Sequence, residues 1–249
     1  KGGMIYDGTG RESFKGDILI ENDKIIKVEE SIEAEDGWEI IDIEGRSVSS
    51  GFIDAHSHND WFAIKNEPQK YFEPFIRQGI TSFITGNCGL SAVGFESSTQ
   101  HVDKVGGGLF SFHDTTGKYG SVSDFFSAID GKTPCNIAVL AGHCTARASV
   151  AGYANRALTE DEKKTMLDLL EKALQEGACG LSLGLMYEPG IYAGIDELKD
   201  VARLCEKYGL TVQDIYKKAN ADNFRIKDKN GNLYQKREYF LYVRINWGL

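Results

Sequence analysis

The chain is sparing with histidine, proline and cysteine, with five, four and five in 249 residues, and each scarcity narrows what it can be. Cys88, Cys135, Cys144, Cys179 and Cys205 form no CxxC pair, and their odd number excludes a complete disulfide framework. In a reducing compartment they are expected as small buried hydrophobes. No apolar run approaches the ~20 residues that cross a bilayer. The opening KGGMIYDGTG lacks the apolar stretch of a signal peptide, so a cytoplasmic protein is expected. Excess positive charge is missing too. With 37 acidic against 28 basic residues the net charge is -9, which repels phosphate backbones and anionic membranes and sets nucleic acid and membrane aside as partners. What is present, 41% hydrophobic and 11% aromatic residues, describes a folded protein with room for one large domain or a large and a small one.

Two rhythms divide the chain. Residues 1–49 carry short alternating runs: GDILIENDKIIKVEE reads as two strands joined by Glu21-Asn22-Asp23, and EIIDIEGRSV as another short pair with a glycine turn, together a small β unit. From residue 50 the pattern becomes apolar run, polar loop, amphipathic helix. Strands are expected at 51–56, 80–87, 136–143, 178–185 and 210–212. The helix at 159–177 has a capping box in Thr159 and Glu162, an apolar stripe of Met166, Leu169, Leu170, Ala173 and Leu174, and Gly177 as its stop. A second at 195–209 repeats the design with Leu198, Val201, Ala202, Cys205 and Tyr208, stopping at Gly209. Strands alternating with helices imply parallel pairing, and uniformly apolar strands imply burial on both faces. An α/β barrel or an open doubly wound sheet fits.

Polar clusters follow the C-terminal ends of the strands: Asp54, His56 and His58, then Asn87 and Cys88, then His143 and Arg147, then Tyr187. Barrel enzymes build their sites at that rim. In SSGFIDAHSHND (49–60) a strand would turn Asp54, His56 and His58 to one side, and two neutral imidazoles held that way suit a borderline-soft divalent ion such as zinc. A surface turn is the alternative on spacing alone.

With those clusters the chain resembles the amidohydrolase superfamily, and within it the D-aminoacylase (N-acyl-D-amino-acid deacylase) family, over residues 1–212. GFIDAHSHND resembles its first-strand metal motif, and GNCGLS (86–91) a second-strand motif in which this family uses cysteine. AGHCTAR (141–147) is similar to a third-strand Gly-His motif and GLSLGLMYEPGIYA (180–193) to a long fourth-strand motif. The resemblance implies a partial TIM-like (β/α) metal-dependent hydrolase barrel preceded by a small β-sandwich segment. It implies zinc held by His56, His58 and Cys88, and hydrolysis of a small-molecule N-acyl-D-amino acid to a carboxylate and a D-amino acid. Other amidohydrolases, dihydroorotase- or hydantoinase-like, and a non-catalytic metal-binding fragment are the alternatives.

Asp54 is expected to orient one histidine or to cap the strand end. His143 faces substrate or sits hydrogen-bonded in the core; Arg147 meets a substrate carboxylate or makes a surface ion pair. Tyr187 and Tyr192 flank Glu188-Pro189-Gly190, expected as a type II turn that presents both phenols over the pocket mouth. Ser182 reads as a small packing residue. His101 and His113 lie in a Gly-rich insertion expected to be a mobile loop without metal.

After Val212 the resemblance stops. No histidine follows His143, so the family's fifth- and sixth-strand histidines have no counterpart, and its eighth-strand general-base aspartate has no matching segment. The catalytic base is therefore left unassigned, and 50–212 is expected to form the first half of the barrel. Residues 213–249 are an unassigned tail in which a hairpin turning at Asn230-Gly231 is expected.

Overall fold

A computed structural model describes residues 1–214, 226–227 and 233–234, with side chains described up to residue 210. The chain divides into two units, Lys1–Phe52 and Ile53–Leu249.

The first unit is a four-stranded sheet in the order β3-β2-β1-β4, built from β1 (Gly3–Tyr6), β2 (Phe14–Glu21), β3 (Lys24–Glu29) and β4 (Ser47–Ser49). β2 and β3 pair antiparallel, and Asn22 turns the hairpin at φ 56°, a left-handed conformation that asparagine tolerates. β4 pairs parallel with β1. The second short pair expected in EIIDIEGRSV does not form, since only β4 is a strand there. β1 already has β2 on one edge and β4 on the other, so Ile41 and Ile43 add no strand to it: Ile41 O accepts from the Lys1 amino group, Ile43 N–H donates to Lys1 O, and Ile43 O accepts from Arg46 N–H.

The second unit begins within β5 (Phe52–Asp54) and holds α1 (Asp60–Ala63), α2 (Gln69–Ile76), β6 (Ile80–Thr85), α3 (Val122–Ile129), β7 (Asn136–Val139), β8 (Ala141–Gly142), α4 (His143–Ala151), α5 (Glu160–Gln175), β9 (Gly180–Leu183), α6 (Ile195–Lys207) and β10 (Thr211–Asp214). The sheets run β5-β6-β7 and β8-β9-β10, with β6–β7, β8–β9 and β9–β10 parallel. The expected strand 136–143 is split at Leu140, and its last residue, His143, instead opens α4. Leu140 N–H still donates to Thr85 O (2.9 Å) and Cys179 N–H to Val139 O (2.9 Å), so hydrogen bonds run from β6 across to β9 through the break. Every residue of β9 is buried, as the apolar pattern implies, whereas Phe52 and Ile53 of β5 are exposed. Trp61, Phe72, Phe83, Phe125, Leu170 and Leu181 are central to the core beneath these sheets. Beyond them, β11 (Ile226–Lys227) pairs antiparallel with β12 (Leu233–Tyr234); the expected turn at Asn230-Gly231 lies outside the described residues.

α5 shows the complete capping box: Thr159 Oγ1 accepts from Glu162 N–H (3.2 Å) and Glu162 accepts from Thr159 N–H (2.8 Å). Arg156 also pairs with Glu162 and, with these bonds, holds its carboxyl down to about 2. Thr159→Ala should cost about 1 kcal/mol, the usual value of an N-cap, read as a lower urea midpoint at unchanged m-value. Among the described residues no helix is long and apolar enough to cross a membrane, and none of the five cysteines is in a disulfide.

Candidate metal centre

β5 ends at Asp54, so the two histidines sit in the bend beyond it rather than on the strand. Asp54 Oδ1 accepts the backbone N–H of His56 (3.1 Å), the strand-end cap. From the other side, β6 runs into the turn Gly86-Asn87-Cys88-Gly89. Cys88 stands at φ 59°, between Gly86 at 72° and Gly89 at 70°. The turn points Cys88 Sγ to 3.4 Å from His56 Nε2. One donor atom each from His56, His58 and Cys88 lies within 4.8 Å of the others.

The donor set fits a divalent metal. Tetrahedral ligands at ~2.0–2.3 Å from zinc stand about 3.3–3.7 Å apart, close to the His56–Cys88 separation. Burial lowers the pKa of His56, against the raising influence of Asp54, and pushes His58 down to about 4 with help from His56. Both imidazoles are therefore neutral at pH 7, the form that binds metal. Nδ1 of His58 is buried without a hydrogen-bond partner among the described residues. Phe110 stacks on the His58 ring at 4.9 Å and on Trp61 at 5.5 Å. The Gly-rich insertion thus packs Phe110 over His58. His101 and His113 are not in the cluster.

A layer of buried polar groups surrounds the turn. Asp60 accepts from Gly86 N–H (3.3 Å) and Ala92 N–H (2.8 Å), and full burial pushes its carboxyl up to about 7 against those bonds. Asn87 Nδ2 donates to Ser57 O (3.0 Å) and Ile84 O (2.9 Å). Ser182 Oγ contacts both Gly86 and Gly89, and Tyr187 Oη donates to the Cys88 carbonyl. Tyr187 is thereby tied to the turn. Tyr192 Oη donates to Glu188. The expected type II turn does not form, because Pro189 sits at φ -90°, ψ 0° and Gly190–Tyr192 is a 3-10 turn.

His143 and Arg147 lie on α4 with no exposed surface. Glu197 of α6 explains their place: its Oε1 is 2.7 Å from His143 Nε2 and 3.1 Å from Arg147 Nε. Arg147 Nη2 donates to Arg156 O (2.8 Å) and Tyr192 O (3.2 Å). The ion pair of Arg147 is thus buried, not on the surface. Asp60, Ser182, Glu197 and Phe110 are the contributors that sequence reading misses. Only Asp60 carried a signal, a carboxylate two residues after the second histidine.

No family model matches the chain. It is 34% identical over 207 residues to the N-acyl-D-aspartate deacylase of Alcaligenes xylosoxydans xylosoxydans, covering 81% of this chain and 39% of that protein. To the D-aminoacylase of the same organism it is 31% identical, covering 84% and 42%. In structure it matches a D-aminoacylase studied for its binuclear metal centre, at TM-score 0.67 and 28% identity over 86% of this chain and 44% of that one. The chain is D-aminoacylase-like in sequence and in fold. An N-acyl-D-glutamate deacylase from Bordetella bronchiseptica, solved with zinc and a phosphonate inhibitor, also matches at TM-score 0.65 and 29% identity, over 86% and 43%. The D-aminoacylase-like chain therefore spans about two fifths of the length of the curated relatives it matches. Its second unit is an α/β segment of the partial TIM-like kind expected from the resemblance.

Proposed function

We propose that this chain belongs to a zinc-dependent enzyme that hydrolyses N-acyl-D-amino acids, adding water across the amide to release a carboxylate and a D-amino acid. The convergence of His56, His58 and Cys88 within 4.8 Å carries the reading, together with the activities named for the relatives. Zinc held by those three would polarise an amide carbonyl and activate water, the combination amide hydrolysis requires. The residues of this chain prepare that position. His56 and His58 offer neutral nitrogens, the Gly86–Gly89 turn aims the thiol, and Phe110 shields His58 on one face. In this reading Tyr192 stands near the acyl-amino acid, and Tyr187, His143 and Arg147 hold the framework on which it is recognised. The scattered cysteines are in keeping with a cytoplasmic enzyme.

The test is hydrolysis of N-acetyl-D-methionine against its L-isomer by the zinc-loaded protein, with and without a chelator. D-selective turnover abolished by the chelator is expected, with zinc stoichiometry falling in Cys88→Ala. Folded, zinc-loaded protein that turns over neither isomer would overturn the assignment of this activity to the chain.

A further inference from the structure

We infer that Ser182 and Asp60 are positioning residues for Cys88, a role that rests on the metal-centre reading and deepens it. A non-glycine residue in the left-handed region is strained and persists only where its surroundings impose it. Cys88 is such a residue, and the groups that impose its conformation can be named.

The ends of its turn are Gly86 and Gly89. Ser182 Oγ donates to Gly86 O (2.5 Å) and accepts from Gly89 N–H (3.0 Å), so one hydroxyl closes both ends. Ser182 is fully buried in a strand whose four residues are all buried. An alanine would pack there without the cost of burying a hydroxyl, so the two bonds account for serine. Asp60 grips the same turn from the other side. It begins α1 two residues after His58, and its carboxylate takes the N–H groups of Gly86 and Ala92. One side chain thus fastens the histidine segment to the turn that carries the thiol. Tyr187 adds a bond to the Cys88 carbonyl, and a Cβ at Gly184 would stand 2.2 Å from that same oxygen. The thiol direction is therefore set by β9 and α1, neither of which supplies a ligand.

Cobalt(II) titration of the purified chain reads this directly, because thiolate bound to cobalt gives a near-ultraviolet charge-transfer band. Ser182→Ala is expected to weaken cobalt binding about 10- to 100-fold, the usual loss when the support of a ligand is removed, and to diminish the band. Thr159→Ala, which weakens the cap of α5 without touching the turn, should leave both unchanged. A metal-free readout runs alongside: carboxamidomethylation of Cys88, followed by peptide mass spectrometry, should be severalfold faster in Ser182→Ala than in wild type or Thr159→Ala. Should Ser182→Ala fail to fold, Asp60→Asn takes its place with the same expected changes. Wild-type cobalt affinity, band and alkylation rate in a folded Ser182→Ala would overturn the inference and leave Ser182 a packing residue. A wild-type chain with no thiolate band would overturn the metal-centre reading instead, and the alkylation rates would then decide whether the clamp exists.

Discussion

Glu197→Ala is expected to destabilise the second unit by about 3–5 kcal/mol, the cost of stranding a buried cation. Arg147 is fully buried and permanently charged. Its guanidinium has two carbonyl partners through Nη2, while Nη1 has no hydrogen-bond partner among the described residues. The carboxylate of Glu197, 3.1 Å from Nε, is the anion that compensates it, and the same oxygen meets His143. Removing it leaves two buried polar groups facing an empty volume. Glu197→Gln keeps the shape and one acceptor and should lose less. The double change of Glu197→Leu with Arg147→Met should recover much of the loss, because well-packed apolar pairs commonly match or exceed a buried ion pair. Urea denaturation at constant pH measures all three. A Glu197→Ala midpoint close to wild type would show that the ion pair does not hold α6 against α4.

What the sequence makes legible follows from how local each signal is. The capping box of Thr159 and Glu162 needs four consecutive residues, and the helix forms with that cap. His56, His58 and Cys88 form short motifs just beyond β5 and β6, which are neighbours in one sheet, and their donor atoms converge there. The polar layer around the turn depends on bonds from side chains to backbone groups far away in sequence, 26 residues for Asp60 with Gly86 and 99 for Tyr187 with Cys88. No periodicity announces such pairs. Glu197 illustrates the point: on α6 it stands among Asp196 and Asp200, and reads as part of a charged face. Only the tertiary position of Arg147 turns it into a core residue. Ser182 is the converse, a polar residue inside an apolar run whose size suggested packing and whose hydroxyl serves a turn on another strand. Phe110 lies in a stretch with the composition of a loop, yet its ring covers His58.

Gly86→Ala is expected to cost about 2–5 kcal/mol, combining ~1–2 for a left-handed alanine with ~1–3 for overpacking. Gly86 has φ 72°, and an added Cβ would lie 2.0 Å from the carbonyl oxygen of Leu140 and 3.0 Å from its carbon. Those are backbone atoms at the break between β7 and β8, and Leu140 N–H is bonded to Thr85 O, so the obstacle cannot rotate away. The turn has to yield. Its N–H is held by Asp60 and its carbonyl by Ser182, and displacing Gly86 therefore carries Cys88 away from His56. Cobalt affinity should fall together with stability. Gly177→Ala separates the two contributions: Gly177 has φ 109° and nothing within 4 Å of an added Cβ, so that variant carries backbone strain alone. Denaturant midpoints and cobalt titrations of both variants give the comparison. Equal losses of stability, with metal affinity intact in Gly86→Ala, would mean that conformation rather than the close approach to Leu140 requires glycine there, and that the thiol is not steered through this turn.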